Sequence, residues 1–264
     1  MAKGSLIQAL YELCKKTFNP SCVSASSLSI QKLCSLMDKI SPEDLGLKEN
    51  VLDDESGYGF FESNPFKSST RAARWAQPIT YLHICECDSF TIGIFCLPTS
   101  SMIPLHDHPG MTVLSKILYG SMHVKAYDWM EPPCIMKSGQ PNEISVRLAK
   151  FQADTVLMAP CPTRALYPKS GGNLHCFTAA TSVAVLDVLA PPYSEVAGRH
   201  CTYYHDYPFS SFSTARELGM KERDEEYAWL EAIAAPDDFY MRSGDYTGPP
   251  VKEELCIPGS CTIA

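Results

Sequence analysis

Hydrophobic and polar positions change period once along the chain. Over the first fifty residues, apolar side chains recur every three or four positions, at Leu6, Ile7, Leu10 and Leu13 and then at Ile30, Leu33, Met37 and Ile40. That spacing gathers them on one helical face and predicts two helices. Pro20 follows the expected end of the first, Ser26 or Ser27 suits the N-cap of the second, and Ser41-Pro42-Glu43-Asp44 reads as a further cap with proline at the first helical position. Residues 1–50 are therefore expected to form a helical segment. Residues 51–78, with Gly57, Gly59, Asn64, Pro65 and Pro78, are expected to form an irregular linker. From residue 79 short runs rich in β-branched and aromatic residues take over, at 79–87, 90–97, 112–118, 122–129, 155–158, 164–167, 174–178 and 183–189. Short strands at close spacing, with no helices between them, predict a mainly β sandwich or barrel over 79–208. Residues 131–150 interrupt the series as a long loop. An aromatic strand follows Pro191-Pro192, then a polar linker and a helix near 214–234. The tail from Pro236 to Ala264 is rich in proline and glycine, with Cys256 and Ile257 as docking points. Residues 209–264 are thus expected to be a C-terminal helix and an extended tail, packing on the barrel or trailing from it.

Composition narrows the function. The chain has 264 residues, 45% hydrophobic and 20% charged, which is ordinary for a globular protein with a full core. Its 22 Lys and Arg against 30 Asp and Glu leave a net charge of −8, a poor match for a phosphate backbone, so no direct nucleic-acid partner is expected. No run approaches the roughly 18 apolar residues of a membrane span. The opening MAKGSLIQALYELCKK is broken by Gln8 and Glu12 and is not read as a secretory signal. Twelve cysteines are spread along the chain, several inside apolar runs (Cys85, Cys87, Cys96, Cys176), and are expected to be free, mostly buried thiols of a reducing compartment. No Cys-x-x-Cys pair occurs, which excludes a zinc ribbon. No heptad or interface stripe is evident, so a monomer is expected.

The chemistry centres on histidine. Of the seven, at 83, 106, 108, 123, 175, 200 and 205, the His106-Asp107-His108 triplet stands out. Residues two apart on a strand share a face, so both imidazoles can reach one metal while Asp107 points away. Pro109-Gly110 then turns the chain, Gly120 lies twelve residues past His108, and Pro168-Lys169-Ser170-Gly171-Gly172-Asn173-Leu174-His175 ends on a third histidine. These segments resemble the cupin superfamily, whose first motif runs His-x-His, three or four residues, Glu, six residues, Gly, and whose second runs Pro-x-Gly, two residues, His. Counting back from Gly120 places the glutamate position on Val113. The second motif keeps Gly172 three residues before His175, with a longer Pro-to-Gly spacing, and has Ala179 at its asparagine position. Three neutral imidazoles without the carboxylate would leave a site with the full divalent charge and up to three open positions, suited to an anionic ligand such as a thiolate with room for dioxygen.

More closely, IPLHDHPGMTVLSKILYGSMHVKAYDW, LYPKSGGNLHCFTA and LAPPYSEVAGRHCTYY resemble the plant cysteine oxidases, relatives of 2-aminoethanethiol dioxygenase. The resemblance covers most of residues 1–250 and is densest over 79–204. It implies a cupin (double-stranded β-helix, jelly-roll) barrel with N-terminal helices, and His106, His108 and His175 as ligands of Fe(II). It implies dioxygen as co-substrate and oxidation of an N-terminal cysteine to the sulfinic acid. The protein partners would be transcription factors beginning with cysteine, and the product would enter the N-degron route, making the enzyme an oxygen sensor in hypoxia responses. Imidazoles also suit zinc, copper and nickel, so iron is carried by the resemblance and not by the spacing. No strong basic cluster appears, and distribution between cytoplasm and nucleus is expected.

Three further residues match family positions. Asp187, twelve residues after His175 in the apolar run 183–189, must be paired or hydrogen-bonded if buried. It is either a partner of the substrate amine near the metal or an acid satisfied by backbone amides. Tyr193, after Pro191-Pro192, is either a gate or hydrogen-bond donor at the pocket or a packing tyrosine. Cys201 is either a buried thiol or, with Tyr203 on a shared strand face, half of the Cys–Tyr link that related thiol dioxygenases carry. His83 and His123 read as satisfied core or face histidines rather than ligands, and His200 and His205 fall in a polar aromatic stretch, His200 near the mouth of the pocket at most. Arg164 could meet a carboxylate, yet the first residue of a peptide has no free α-carboxylate. Two alternatives stay open: a small aminothiol (cysteamine) dioxygenase, and a non-oxidative metal-binding cupin, in which Asp187 could serve as a general base.

Overall fold

The N-terminal period of three to four is realised as two helices packed on a sheet. In the computed structural model, which describes residues 5–19, 25–47, 78–137, 145–212 and 225–252, α1 spans Leu6–Thr17 and α2 spans Ser27–Met37. α1 buries Ile7, Leu10, Tyr11 and Cys14 along one stripe. Ser26 is the cap of α2, its side chain accepting from the Ser29 amide at 3.2 Å. The Ser41–Asp44 cap opens a single 3-10 turn, Glu43–Leu45. Of the expected linker, residues 51–77 lie outside the described residues, as do Cys256 and Ile257.

Thirteen strands follow among the described residues: β1 Ile79–Cys87, β2 Phe90–Leu97, β3 Met102–His106, β4 Thr112–Tyr119, β5 Ser121–Trp129, β6 Ile135–Lys137, β7 Ser145–Met158, β8 Arg164–Leu166, β9 Leu174–Ala179, β10 Val183–Ala190, β11 Tyr203–Pro208, β12 Tyr227–Ile233 and β13 Met241–Gly244. They form two facing sheets, ordered β13-β1-β2-β10-β4-β8 and β12-β11-β3-β9-β5-β7-β6. Every pairing is antiparallel except β1 with β13. β12 also pairs with β7, so six strands of the second sheet close on themselves. This is the jelly-roll architecture of a mainly β protein.

Two expectations are corrected. Residues 131–150 are not a loop throughout: β6 and the start of β7 lie there, paired as Ile135↔Arg147 to Lys137↔Ser145. The alternation that buries Val146 and Leu148 was hidden beside a proline-rich stretch. The helix expected at 214–234 is contradicted at its C-terminal part, where residues 227–233 form strand β12, while 213–224 lie outside the described residues. The segment has the Glu and Ala content of a helix, but β11 and β7 supply ladders on both of its edges. The fully buried Trp229 stacks on Phe209, and its indole N–H donates to the Phe209 carbonyl at 3.1 Å. Tertiary pairing here overrides propensity.

β10 shows how the layers place a polar group. All eight of its residues are buried, unusual for an antiparallel strand unless both faces are covered. Ala184, Leu186 and Val188 pack outward in a core with α1 and α2. Val183 and Val185 face the interior between the sheets, joined there by Ile103, Met122 and Phe177. Two-residue alternation puts Asp187 on that inner face. Gly120, the single residue between β4 and β5, holds φ at +80°, and a side chain there would collide with the Ser182 carbonyl.

The helices are clasped to the barrel by Asp38, just past α2, whose Oδ1 accepts from the Thr163 amide and hydroxyl at 2.7 Å each and lies 3.6 Å from the Lys116 ammonium. Lys116, otherwise buried, donates to the Cys161 carbonyl. Asp38→Ala is expected to lower unfolding stability in urea by about 1–2 kcal/mol, toward the low end for hydrogen bonds to a charged acceptor because Asp38 is exposed, with unchanged metal content. No loss of stability would show that the clasp is dispensable.

Candidate metal centre

β3 carries His106 at its last residue, and its register sets His106 opposite His175 on β9 and Tyr203 on β11. His108 lies two residues beyond the strand end. The Asp107 carboxylate turns away from the imidazoles, accepting from the Thr202 amide and the Tyr204 hydroxyl, both at 2.9 Å. Asn173 grips the other side: its Oδ1 accepts from the His108 amide at 3.1 Å, while its Nδ2 donates to the His108 and Tyr167 carbonyls at 2.9 Å. Asp128 in turn accepts from the Gly172 and Asn173 amides at 3.0 and 2.9 Å. The loop that presents His175 is thereby tied to β5.

The result is three buried imidazoles with ring centroids 4.8–4.9 Å apart. Each Nδ1–H has an acceptor. That of His106 donates to the Pro104 carbonyl at 2.8 Å and that of His175 to the Gly172 carbonyl at 3.1 Å. That of His108 donates to the Tyr193 hydroxyl at 2.7 Å, which itself donates to the Asp107 carbonyl at 2.8 Å. Gly172 reaches the position from which its carbonyl meets His175 with φ +86°, where Ala126 leaves no room for a side chain. With Nδ1 protonated throughout, Nε2 is left as the ligand atom on each ring. The His108 and His175 Nε2 atoms face each other at 3.3 Å, two lone pairs whose repulsion a shared cation relieves. Burial lowers the basicity of all three, that of His175 to about 3, and the neighbouring imidazoles add to the effect at His108 and His175. They are neutral, and so competent to ligate, at physiological pH. Their ligand atoms all lie within 4.8 Å of one another, and the donor set fits a divalent transition metal with positions left open.

Val113 is buried in a small apolar cluster with Met111, Leu166 and Leu189. It adds no carboxylate at the position the cupin pattern reserves for one.

The six candidate residues meet at one cavity of about 310 Å³, with His106, His108, His175, Asp187, Tyr193 and Cys201 all on its walls. Asp187 is buried, accepts from Ser115, and has an Oδ1 without a partner among the described residues. Burial pushes its carboxyl up to about 7, against the Ser115 hydrogen bond. Burial likewise raises the Tyr193 phenol, and it pushes the Cys201 thiol up to about 11 although Tyr193 and Tyr203 hydrogen-bond it. Cys201 precedes β11 and is a free thiol. His83, His200 and His205 are exposed and His123 pairs with Asp154, so all four stand outside the cluster. Arg164 lies on a second cavity with Val113, on the other side of His175 and Phe177.

Sequence reasoning missed Asn173, Asp128, Tyr81 and the tail residues Phe239 and Met241, the last three of which line the catalytic cavity. A polar residue inside an apolar strand run was the available signal for Asp128; nothing local marked the tail.

A jelly-roll barrel that aims three neutral imidazoles at one point, with an unsatisfied acid across a cavity, defines a metal-dependent cupin enzyme. Comparison gives the family: the chain matches PCO_ADO over residues 36–251 and belongs to that family, and it is a thiol dioxygenase using a metal and dioxygen. Plant cysteine oxidase 2 of Arabidopsis thaliana is 46% identical over 250 residues, covering 94% of this chain and 83% of its own. Plant cysteine oxidase 1 of the same organism is 42% identical over 254 residues, covering 94% and 80%. The human 2-aminoethanethiol dioxygenase is 33% identical over 193 residues, covering 66% and 68%.

Two outcomes are expected. Alanine at any one of His106, His108 or His175 reduces bound metal below one-tenth per chain by elemental analysis. Tyr193→Phe, which removes the acceptor of the His108 Nδ1–H together with the donor to the Asp107 carbonyl, weakens metal affinity by about 10- to 100-fold. For Asp187 the linkage is with pH. An acid raised to about 7 on folding takes up a proton between about pH 4 and 7 as the chain folds, so its cost grows across that window and is full above it. Asp187→Asn therefore raises the melting temperature of the metal-free protein by several degrees at pH 8 and leaves it unchanged at pH 4. Equal shifts at both values would contradict the buried carboxylate.

Proposed function

We propose that this protein oxidises the N-terminal cysteine of other proteins to cysteine sulfinic acid with dioxygen, at Fe(II) held by His106, His108 and His175. The observation that carries the reading is the charge of the cavity. Three neutral imidazoles form one wall and Asp187 another, and none of the described lining residues is Lys or Arg. A free cysteine would bring an α-carboxylate with no cation to meet it. A cysteine at the start of a peptide brings a thiol and an ammonium, with its carboxyl already an amide. Asp187, whose Oδ1 has no partner among the described residues, suits that ammonium.

Bound iron would supply open positions for the thiolate and dioxygen, acidify the thiol and activate the oxygen. The chain's own residues do the rest. Tyr193 and the Pro104 and Gly172 carbonyls hold the imidazole tautomers. Asp187 fixes the amine, and so the direction from which the thiol reaches the metal. Phe95, Ile103, Phe177 and Val185 line the cavity with apolar surface and keep bulk water away. The reaction balances without an external reductant: R–SH and O2 give R–SO2H, both oxygen atoms ending on sulfur. Transcription factors beginning with cysteine are the substrates we favour, their oxidation feeding the N-degron route as an oxygen signal in the cytoplasm and nucleus, with the enzyme acting as a monomer.

The cavity charge also admits cysteamine, a thiol and an amine with no carboxylate, and one relative is named for it. Incubating the iron-loaded protein in air with a short peptide beginning with cysteine, followed by mass spectrometry, separates the readings. A gain of two oxygen atoms, absent in His175→Ala, is expected. Oxidation of cysteamine with the peptide untouched would favour the small aminothiol. No oxidation of either, with iron bound, would reject both readings in favour of a non-oxidative site.

A further inference from the structure

The cavity wall opposite the histidines is built by three neighbouring strands, β1, β2 and β10. On β2 the inward row is Thr91, Gly93 and Phe95, and on β10 it is Leu189, Asp187 and Val185, with Gly93 in register with Asp187. Tyr81 on β1 is registered with Phe95, and its ring lies against Phe95 at a centroid distance of 4.9 Å. The phenol also leans over Gly93: a side-chain carbon there would sit 2.6 Å from Tyr81 Cζ and collide with the hydroxyl. Gly93 has no positive φ to account for it. Its missing side chain is a space, and the Tyr81 ring fills it. The Tyr81 hydroxyl therefore stops above Gly93, the residue whose backbone is paired with that of Asp187.

The surroundings are electrically consistent. Burial first, then the negative charges of Asp187 and Glu86, push the Tyr81 phenol up to about 12. Glu86 is exposed and also lines the cavity, with Thr91 Oγ1 donating to its Oε2 at 3.0 Å. The wall thus runs from a buried carboxylate through a phenol to an exposed carboxylate, and the described lining residues offer it no basic side chain. An ammonium carries three donors and needs several acceptors, whereas an acylated amine carries a single N–H and no charge.

We propose that Tyr81 is a specificity-determining residue of this site: its hydroxyl, given its place by the absent side chain of Gly93, accepts from the substrate's α-ammonium beside Asp187 and so makes the enzyme select free over blocked N-termini. The proposal rests on the reading of Asp187 as the ammonium partner. It extends that reading to a residue on a different strand and gives the glycine at position 93 a function.

The test separates the two claims. Calorimetry on the iron-loaded protein compares a peptide bearing serine in place of its first cysteine, with the amine free and with it acetylated. Turnover of the cysteine peptide is followed in parallel. The unsubstituted protein is expected to bind the free amine more tightly. Tyr81→Phe is expected to reduce that preference about tenfold, the loss of one hydrogen bond to a charged group, and to raise KM for the cysteine peptide with kcat within a few-fold. Gly93→Ala keeps the hydroxyl but displaces the ring, and is expected to lose the preference to a similar extent. Melting temperature and iron content identify a variant that has misfolded, and Tyr81→Phe, the milder change, then carries the test. An unchanged preference in folded Tyr81→Phe overturns the role of Tyr81. Equal binding of both peptides by the unsubstituted protein overturns the ammonium seat altogether. Selective binding without oxidation would leave the seat standing and reject the proposed reaction.

Discussion

The centre depends on where three protons are held. An imidazole can ligate a metal through either nitrogen, and three free rings would scatter over many arrangements. Here each Nδ1–H is committed to an oxygen: the Pro104 carbonyl, the Gly172 carbonyl and the Tyr193 hydroxyl. Two of those acceptors are backbone atoms within three residues of the histidine they fix, so local chain geometry sets the tautomer. The third comes from a separate loop, and Tyr193 itself is fixed by donating to the Asp107 carbonyl. Once the Nδ1 side is satisfied, the Nε2 lone pairs have one place to converge, and burial keeps them unprotonated there.

The anchoring of the histidines extends outward through carboxylates that do no chemistry of their own. Asp107 joins the His-x-His segment to the start of β11, and Asp128 joins the His175 loop to β5. Asn173 closes the frame by bonding both the amide and the carbonyl of His108. These buried polar groups have hydrogen-bond partners, as burial demands. Asp187 differs, with Oδ1 lacking a partner among the described residues and its carboxyl pushed up to about 7. A carboxylate oxygen left costly on the wall of a cavity points to a ligand that satisfies it.

The outer layers account for the shape of the cavity. The N-terminal helices cover the outward face of β2 and β10, which lets β10 be apolar on both faces while turning Asp187 inward. At the other edge, β13 lies parallel to β1 with Met241 opposite Ile79, bringing Phe239 and Met241 to the cavity wall. A proline- and glycine-rich tail with little propensity of its own is thus part of the site, held by the edge of β1 and by the contact of Phe239 with Tyr203.

The sequence by itself determined the helix faces, most of the strands, the absence of zinc-ribbon chemistry and the three histidines, because side-chain period and residue spacing are local properties. The apolar run around Asp187 marked it as an acid that must find a partner, but the packed layers decided which face it takes. Local pattern failed where partners were remote. Residues 227–233 carry helix-forming composition and become β12 because β11 and β7 offer ladders on both sides. Residues 145–150 join β7 because β6, β5 and β12 pair with it. Asn173, Asp128 and Tyr81 act through atoms tens of residues away, and neither period nor motif encodes such distances. What only the tertiary structure decided is therefore the surroundings of the site: which oxygens fix the imidazoles, and that Gly93, featureless in sequence, is the gap that the Tyr81 ring of the neighbouring strand fills beside the residue paired with Asp187.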